Sequence, residues 1–323
     1  MVKSNLPDAR FIASFCTEHA EGNRHLVVSL PAPVNMQTLE ACLTALSSQY
    51  TGLIIVVLVL TSAPAERKTT ASQIRFFQNG KMILRCGSGS VAAAYYLHEL
   101  KSTDVGSAST VFPMQLQTAN SYVHVGYSEG WYYYETSTLP LVAVKDSVLQ
   151  RKLLNRSVQQ VYLVGGAQDY AILELANKQD LQRCLLNTRA NALFTRRSLI
   201  VTTASSERSV DYYLRYFNPR YGAYEDAATG SANAMLAGLW QQRLRKRSVR
   251  GSQLSIQGGE FCVERIGGFD FSRSQSLCQP EINLPPLRQK VLGQARELTA
   301  EEVFTDQNAS AYLQATRKAL SRL

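Results

Sequence analysis

Arg215-Tyr216-Phe217-Asn218-Pro219-Arg220-Tyr221-Gly222-Ala223-Tyr224-Glu225-Asp226-Ala227-Ala228-Thr229-Gly230-Ser231-Ala232-Asn233 is the stretch whose reading decides the fold. An apolar and aromatic run enters it, and Pro219 with Gly222 marks a turn. Two adjacent acids, Glu225 and Asp226, then precede a Thr-Gly-Ser-Ala turn. From Ala232 to Gln242 an Ala-rich run reads as a helix. A helix start leaves backbone N–H groups without intrahelical acceptors and carries the positive end of the helix dipole. Small residues let a ligand approach that backbone closely. The stretch therefore reads as an anion cradle with a carboxylate beside it.

A second stretch has the same form. Cys86-Gly87-Ser88-Gly89-Ser90-Val91-Ala92-Ala93-Ala94-Tyr95-Tyr96-Leu97 is again a small-residue turn that opens an Ala-rich helix. Gly89-Ser90-Val91-Ala92-Ala93 parallels Gly230-Ser231-Ala232-Asn233-Ala234, a weak internal repeat. Two half-chains, each carrying a helix start, could face each other across a cleft. A carboxylate placed there would meet N–H groups from both sides.

Around these stretches the sequence is mostly short strands. Phe11–Cys16, His25–Leu30, Ile54–Leu60, Ile74–Phe77 and Lys81–Arg85 read as strands, with Glu21-Gly22-Asn23 and Asn79-Gly80 as turns. Ile54–Leu60 is continuous and β-branched, the pattern of a strand buried on both faces. Asn35–Leu46 has apolar residues at helical spacing. Further strands are expected at Met114–Thr118, Tyr122–Tyr127, Gly130–Thr136, Val161–Val164, Tyr170–Leu175, Ser198–Thr203, Gln253–Ile256 and Glu260–Ile266. Helices are expected at Ser147–Leu154 and Lys178–Asn187, and Thr299–Leu323 is helix-friendly. The order is hairpin-rich with few helices, which is α+β rather than doubly wound. A domain change near Pro113 gives two domains, 1–113 and 114–295, the first completed by residues from about 296–323.

Composition narrows the function classes. The chain has 323 residues, 45% hydrophobic and 18% charged, enough for a large core and two domains. Its longest apolar run, Leu53–Leu60, is too short to span a membrane. The opening Met1–Arg10 lacks a basic-then-apolar leader pattern, so a cytoplasmic protein is expected. Cys16, Cys42, Cys86, Cys184, Cys262 and Cys278 have no metal-ligand spacing and read as free thiols. His19, His25, His98 and His124 show no ligand spacing either, so no metal is expected. The net charge is +9 and the pI about 9.3. The densest basic cluster, Arg243–Arg247 with Arg250, lies where the second helix ends, and cations are favoured there. No recognition module accompanies it, so no nucleic-acid partner is expected.

The stretch containing Arg215, Phe217, Pro219, Gly222, Glu225, Asp226, Thr229, Gly230, Ser231 and Ala232 resembles the signature of the PhzF-like isomerases of phenazine biosynthesis. Phe15 with Gly22-Asn23 and Leu26-Val27-Val28 looks like that family's opening hairpin. Ile74–Phe77 followed by Cys86-Gly87 and Ala92-Ala93-Ala94 looks like its second motif, and Leu199–Thr202 like the strand before the signature. The likeness covers most of the chain and fades beyond Gly268. It implies a diaminopimelate-epimerase-like fold: two similar domains, each a β-sheet wrapped around a central helix, with the active site between them. It also implies a homodimer, no organic cofactor, and isomerisation or epimerisation of a small carboxylate-bearing substrate. The setting would be secondary-metabolite or amino-acid-derived biosynthesis.

The resemblance places Asp226 as a catalytic group, with capping of the helix behind it as the alternative. It places Gly230, Ser231 and Ala232 as the turn that holds the carboxylate, with Gly87, Ser88, Gly89 and Ser90 as the facing half. Asn23 could aim an amide at the substrate or simply close a hairpin. Two departures stand out. Ser88 occupies the place of the family's histidine, and the family's glutamate base would fall near Gln49 or Tyr50, where no carboxylate lies between Glu40 and Glu66. Epimerases of this fold use a cysteine directly ahead of such a Gly-x-Gly turn, and Cys86 has that form, so Cys86, Ser88 and Asp226 are the catalytic candidates. No matching cysteine precedes Thr229, which excludes a two-cysteine mechanism. A buried apolar role for Cys86, and a binding or regulatory protein that has lost catalysis, are the alternatives.

Overall fold

The computed structural model describes residues 8–50, 52–60, 72–102, 112–145, 152–218, 223–267 and 283–304. The chain divides into two compact units. One comprises Met1–Cys16, Asn23–Tyr134 and Gly293–Leu323; the other comprises Thr17–Gly22 and Glu135–Leu292.

The first unit opens with β1 (Asp8–Ser14), β2 (Asn23–Pro31), α1 (Met36–Gln49) and β3 (Ile54–Leu60). It continues with β4 (Ser72–Gln78), β5 (Lys81–Ile83), α2 (Gly87–Ser102), β6 (Met114–Gln117) and β7 (Tyr122–Ser128), and β8 (Trp131–Ser137) runs across the change of unit. The second unit holds β9 (Leu141–Val144), β10 (Gln160–Val164), β11 (Tyr170–Glu174), α3 (Lys178–Arg183), α4 (Thr188–Phe194), β12 (Ser198–Ala204) and β13 (Tyr212–Asn218). Then come β14 (Ala223–Glu225), α5 (Gly230–Leu244), β15 (Ser248–Gln253), β16 (Gly259–Arg265), β17 (Asn283–Leu284) and β18 (Arg288–Gly293). The chain returns to the first unit with β19 (Ala295–Leu298) and α6 (Ala300–Val303).

The two units repeat one strand order. In the first, β1 is antiparallel to β2, β2 parallel to β3, β3 antiparallel to β4, β4 parallel to β6 and β6 antiparallel to β7. In the second, β10, β11, β12, β13, β15 and β16 follow the same sequence of senses. Each parallel pair needs a crossover. The crossovers are α1 and α2 in one unit, α3 with α4 and α5 in the other. The internal repeat is therefore one of topology. Helix starts pair Gly87 with Gly230, two residues earlier than the Gly89–Gly230 match read from sequence.

Both α2 and α5 are central helices. Val91–Ala94, Tyr96 and Leu97 of α2 are buried, as is α5 from Ala232 to Gln241. A helix apolar all round must be enclosed, and small side chains let strands close on it. Gly89 illustrates this: a methyl group there would lie 2.9 Å from the Phe76 ring and 3.1 Å from Val56 Cγ2. The other face of β3, Ile55 and Val57, packs with Leu39, Leu43 and Leu46 of α1. Burial on both faces explains why β3 has no polar alternation. Asn35 caps α1, its side chain accepting from Thr38 N–H at 3.1 Å. The β4–β5 hairpin turns at Asn79 and Gly80, both at positive φ (50° and 72°).

Several sequence expectations change. The first unit extends beyond 113 to Tyr134, because β6 joins β4 in parallel. The helix expected over Lys178–Asn187 ends at Arg183, and a separate α4 begins after the cap Asn187. The turn at Pro219–Gly222, most of the Ser147–Leu154 helix, Cys278 and residues 305–323 lie outside the described residues. The basic cluster is largely engaged within the chain. Arg243 pairs with Glu174 and Tyr162, and Lys246 with Asp211 at 2.5 Å.

Candidate active site

In the second unit, Asp226 follows β14 and stands four residues ahead of α5. The first intrahelical bond of α5 runs from Asn233 N–H to Thr229 O, so the amides of Gly230, Ser231 and Ala232 all precede it. The loop between is held rigidly. Gln253 of β15 accepts from Thr229 N–H at 2.8 Å and donates to Asp226 O at 2.7 Å. Ser255 Oγ donates to Ala227 O, and Asn233 Nδ2 to Thr229 O. The carboxylate itself accepts from Thr229 Oγ at 2.5 Å and from Ala227 N–H at 3.0 Å. Burial pushes Asp226 above the usual carboxylate range, while the Thr229 and Ala227 bonds pull the other way. Asp226 thus secures the loop ahead of α5 and also holds a proton more readily than a free carboxylate.

Glu225, its neighbour, has a different partner. Arg215 Nε and Nη2 grip its two oxygens at 2.7 and 2.6 Å. Tyr224 donates to and accepts from Leu186 backbone, and Tyr216 is buried.

In the first unit, Cys86 is the residue directly ahead of α2. Its sulfur takes the place of an N-cap oxygen, accepting from Gly89 N–H at 3.3 Å. Ser88 Oγ lies 3.4 Å from that sulfur. Ser90 is committed locally, its hydroxyl donating to Cys86 O at 2.7 Å. Gly87 faces Tyr134, and Gly89 faces Phe76 and Val56, so each glycine is also demanded by packing. Asn23 opens β2 after Gly22, whose φ is 68°, and is buried opposite Ser14.

Sequence reasoning missed His25. It is fully buried on β2, with Nε2 3.1 Å from Ser88 Oγ and Nδ1 3.2 Å from Ile12 O. Burial holds its imidazole down to about 4, against weaker pulls from the Ile12 and Asn23 carbonyls. The signal was present: one titratable side chain in an apolar strand must find a buried partner. The position sought for a glutamate base offers none. Tyr50 is buried beyond α1, its ring 6.1 Å from that of Phe304. Among the described residues, no three His, Cys, Asp or Glu side chains gather as a metal site, and no helix is long and apolar enough to cross a membrane.

Comparison with known proteins gives a consistent picture. A family model described as "Phenazine biosynthesis-like protein" matches residues 12–262. An uncharacterised isomerase of Halalkalibacterium halodurans is 27% identical over 192 residues, 59% of this chain and 69% of that protein. A phenazine biosynthesis PhzC/PhzF protein from Clostridium difficile superposes with a TM-score of 0.69 at 19% identity, covering 91% of this chain and 97% of the other. A hydroxyproline epimerase from Agrobacterium vitis, solved with trans-4-hydroxy-L-proline, superposes at 0.50 and 11% identity, covering 93% and 92%. The fold is that of the PhzF and epimerase-like proteins.

Proposed function

This chain belongs to the phenazine biosynthesis-like family, and we propose that it is a cofactor-independent isomerase that moves a proton at a carbon of a small carboxylate-bearing substrate. One observation carries the reading: each unit has an ionisable side chain ahead of a central helix start, Cys86 directly before α2 and Asp226 four residues before α5. A carbon-bound proton beside a carboxylate is weakly acidic. Removing it takes a base of matched pKa and fixed dipoles for the anion that forms. The raised Asp226 can serve as acid or base, and the Gly230–Ala232 amides can hold a carboxylate. Ser88 supplies a hydroxyl beside the Cys86 sulfur. Relatives named isomerases, and a neighbour of this fold holding an imino acid, support a substrate of amino-acid-derived type. A homodimer and a biosynthetic role are parts of the same proposal.

The test is incubation in deuterated water with cyclic imino acids and unsaturated cyclic acids, read by NMR. Deuterium should enter at the carbon beside the carboxylate, and Asp226→Asn should slow entry about 100-fold or more. No exchange with any acid that an active relative labels would overturn the proposal.

Tyr50, packed where the family base is expected, favours a second reading. The protein would then be a binding protein that keeps the cradle without the chemistry. In that case Gly230→Trp abolishes the cellular phenotype while Asp226→Asn leaves it intact.

A further inference from the structure

The groups behind Cys86 form a chain with a definite direction. His25 Nδ1 lies 3.2 Å from the Ile12 carbonyl, which can only accept, so the neutral ring carries its proton on Nδ1. Nε2 is then a lone pair, and the Ser88 hydroxyl 3.1 Å away is its donor. Having given its single proton to Nε2, Ser88 Oγ turns lone pairs toward Cys86 Sγ at 3.4 Å. The thiol proton therefore belongs between sulfur and oxygen, while Gly89 N–H meets the sulfur from the helix side at 3.3 Å. The groups facing the ring are the carbonyls of Ile12 on β1 and Asn23 on β2 and the hydroxyl of Ser88 on α2, while β3 sets Ile54 opposite in register. None of them is charged. All of these residues lie in one unit, and Cys86 is the partly exposed end of the chain while Ser88 and His25 are buried.

We propose that Cys86, Ser88 and His25 form a proton relay in which Cys86 is the acid–base group that meets the substrate and His25 is the positioning residue that takes its proton through Ser88. For what the sulfur does next, the inference rests on the isomerase reading; for the relay itself it does not. The Cys86 S–H bond breaks and its proton passes to Ser88 Oγ, as the Ser88 proton passes to His25 Nε2. The products are a thiolate and an imidazolium, with no net change of charge and no co-reactant. Gly89 N–H and the start of α2 then hold the thiolate. It can take a proton from one carbon and return it at another, after which the imidazolium hands the relay proton back. A buried imidazolium is costly, which makes the charge-separated form brief and the return step downhill.

The experiment needs no substrate. The full chain is pulsed with iodoacetamide across a pH series, and alkylation at Cys86 is quantified by peptide mass spectrometry, with Cys16, Cys42, Cys184 and Cys262 as references. In the relay, the alkylation rate of Cys86 below its midpoint levels off at a pH-independent floor in the wild type, because a proton handed to His25 need not leave for solvent, whereas in Ser88→Ala and His25→Gln it keeps falling about tenfold per pH unit. Glutamine keeps an oxygen able to accept the Ser88 hydroxyl but cannot carry a proton. A merely structural hydrogen bond would therefore leave the wild type and His25→Gln with the same low-pH rates, and that result overturns the relay. Low-pH rates in Ser88→Ala equal to the wild type's overturn it too. That variant alone decides if His25→Gln fails to fold by circular dichroism. A floor lost in both variants without deuterium exchange would sink the isomerase reading and keep the relay; exchange with no such floor would do the reverse.

Discussion

At Gly87 a methyl group would sit 2.5 Å from Tyr134 Oη and 2.7 Å from its Cζ, closer than real contacts allow. The residue that a ligand would need small is thus already required small by packing. Gly87→Ala should cost about 1–3 kcal/mol in urea unfolding through overpacking against that ring. A loss indistinguishable from zero would show that the ring moves aside. Much of the candidate site's local geometry was legible: Cys86, Gly89, Asp226, Thr229 and Gly230 could be read as residues of helix starts because capping is local. His25 could not be assigned a role. Its partners Ser88 and Ile12 are brought to it by another helix and another strand, and spacing along β2 says nothing of them.

Arg215 shows how elements are joined. It grips Glu225 of β14 with two nitrogens, and its Nη1 donates to Cys184 O at 2.7 Å and Gln182 O at 3.3 Å, around the end of α3. A cation at those carbonyls gives α3 its stop. This is why helical spacing over Lys178–Asn187 misled: the terminator lies on β13, far along the chain. Glu225→Gln would leave a largely buried guanidinium without its counter-charge, at a cost of about 3 kcal/mol. Chemical denaturation of the variant measures it, and a loss of a few tenths would mean the carbonyls alone suffice. The same contact ties Glu225 to Arg215 and leaves Asp226, bound to Thr229 and Ala227, as the carboxyl proposed for acid–base work.

For the whole molecule, His25 sets a pH dependence of stability. Its imidazole titrates near 6.5 when free and at about 4 in the fold, so the unfolded chain binds the proton more tightly. Its contribution is complete above about pH 6.5 and is lost as pH falls to about 4. At about 1.4 kcal/mol per unit that is about 3 kcal/mol. Thermal melts from pH 7 to 4 should show the wild type losing more stability than His25→Gln, since carboxylates titrate alike in both. Parallel curves would mean the ring is not buried in solution. By itself the sequence determined the α+β class, most of the strands and the two helix starts, because periodicity, turn residues and small-residue caps act over a few positions; the strand expected at Gln253–Ile256 lies instead at Ser248–Gln253. Only the tertiary structure decided that the repeat is one of strand senses, that Gly87 pairs with Gly230, and that a histidine on β2 stands behind Cys86. Those facts rest on strand register and crossover, which bring together residues that no local pattern relates. The opening stretch forms the helix start expected of it, with Asp226 bound into the loop ahead. The thiol ahead of α2 acquires a partner that only folding supplies.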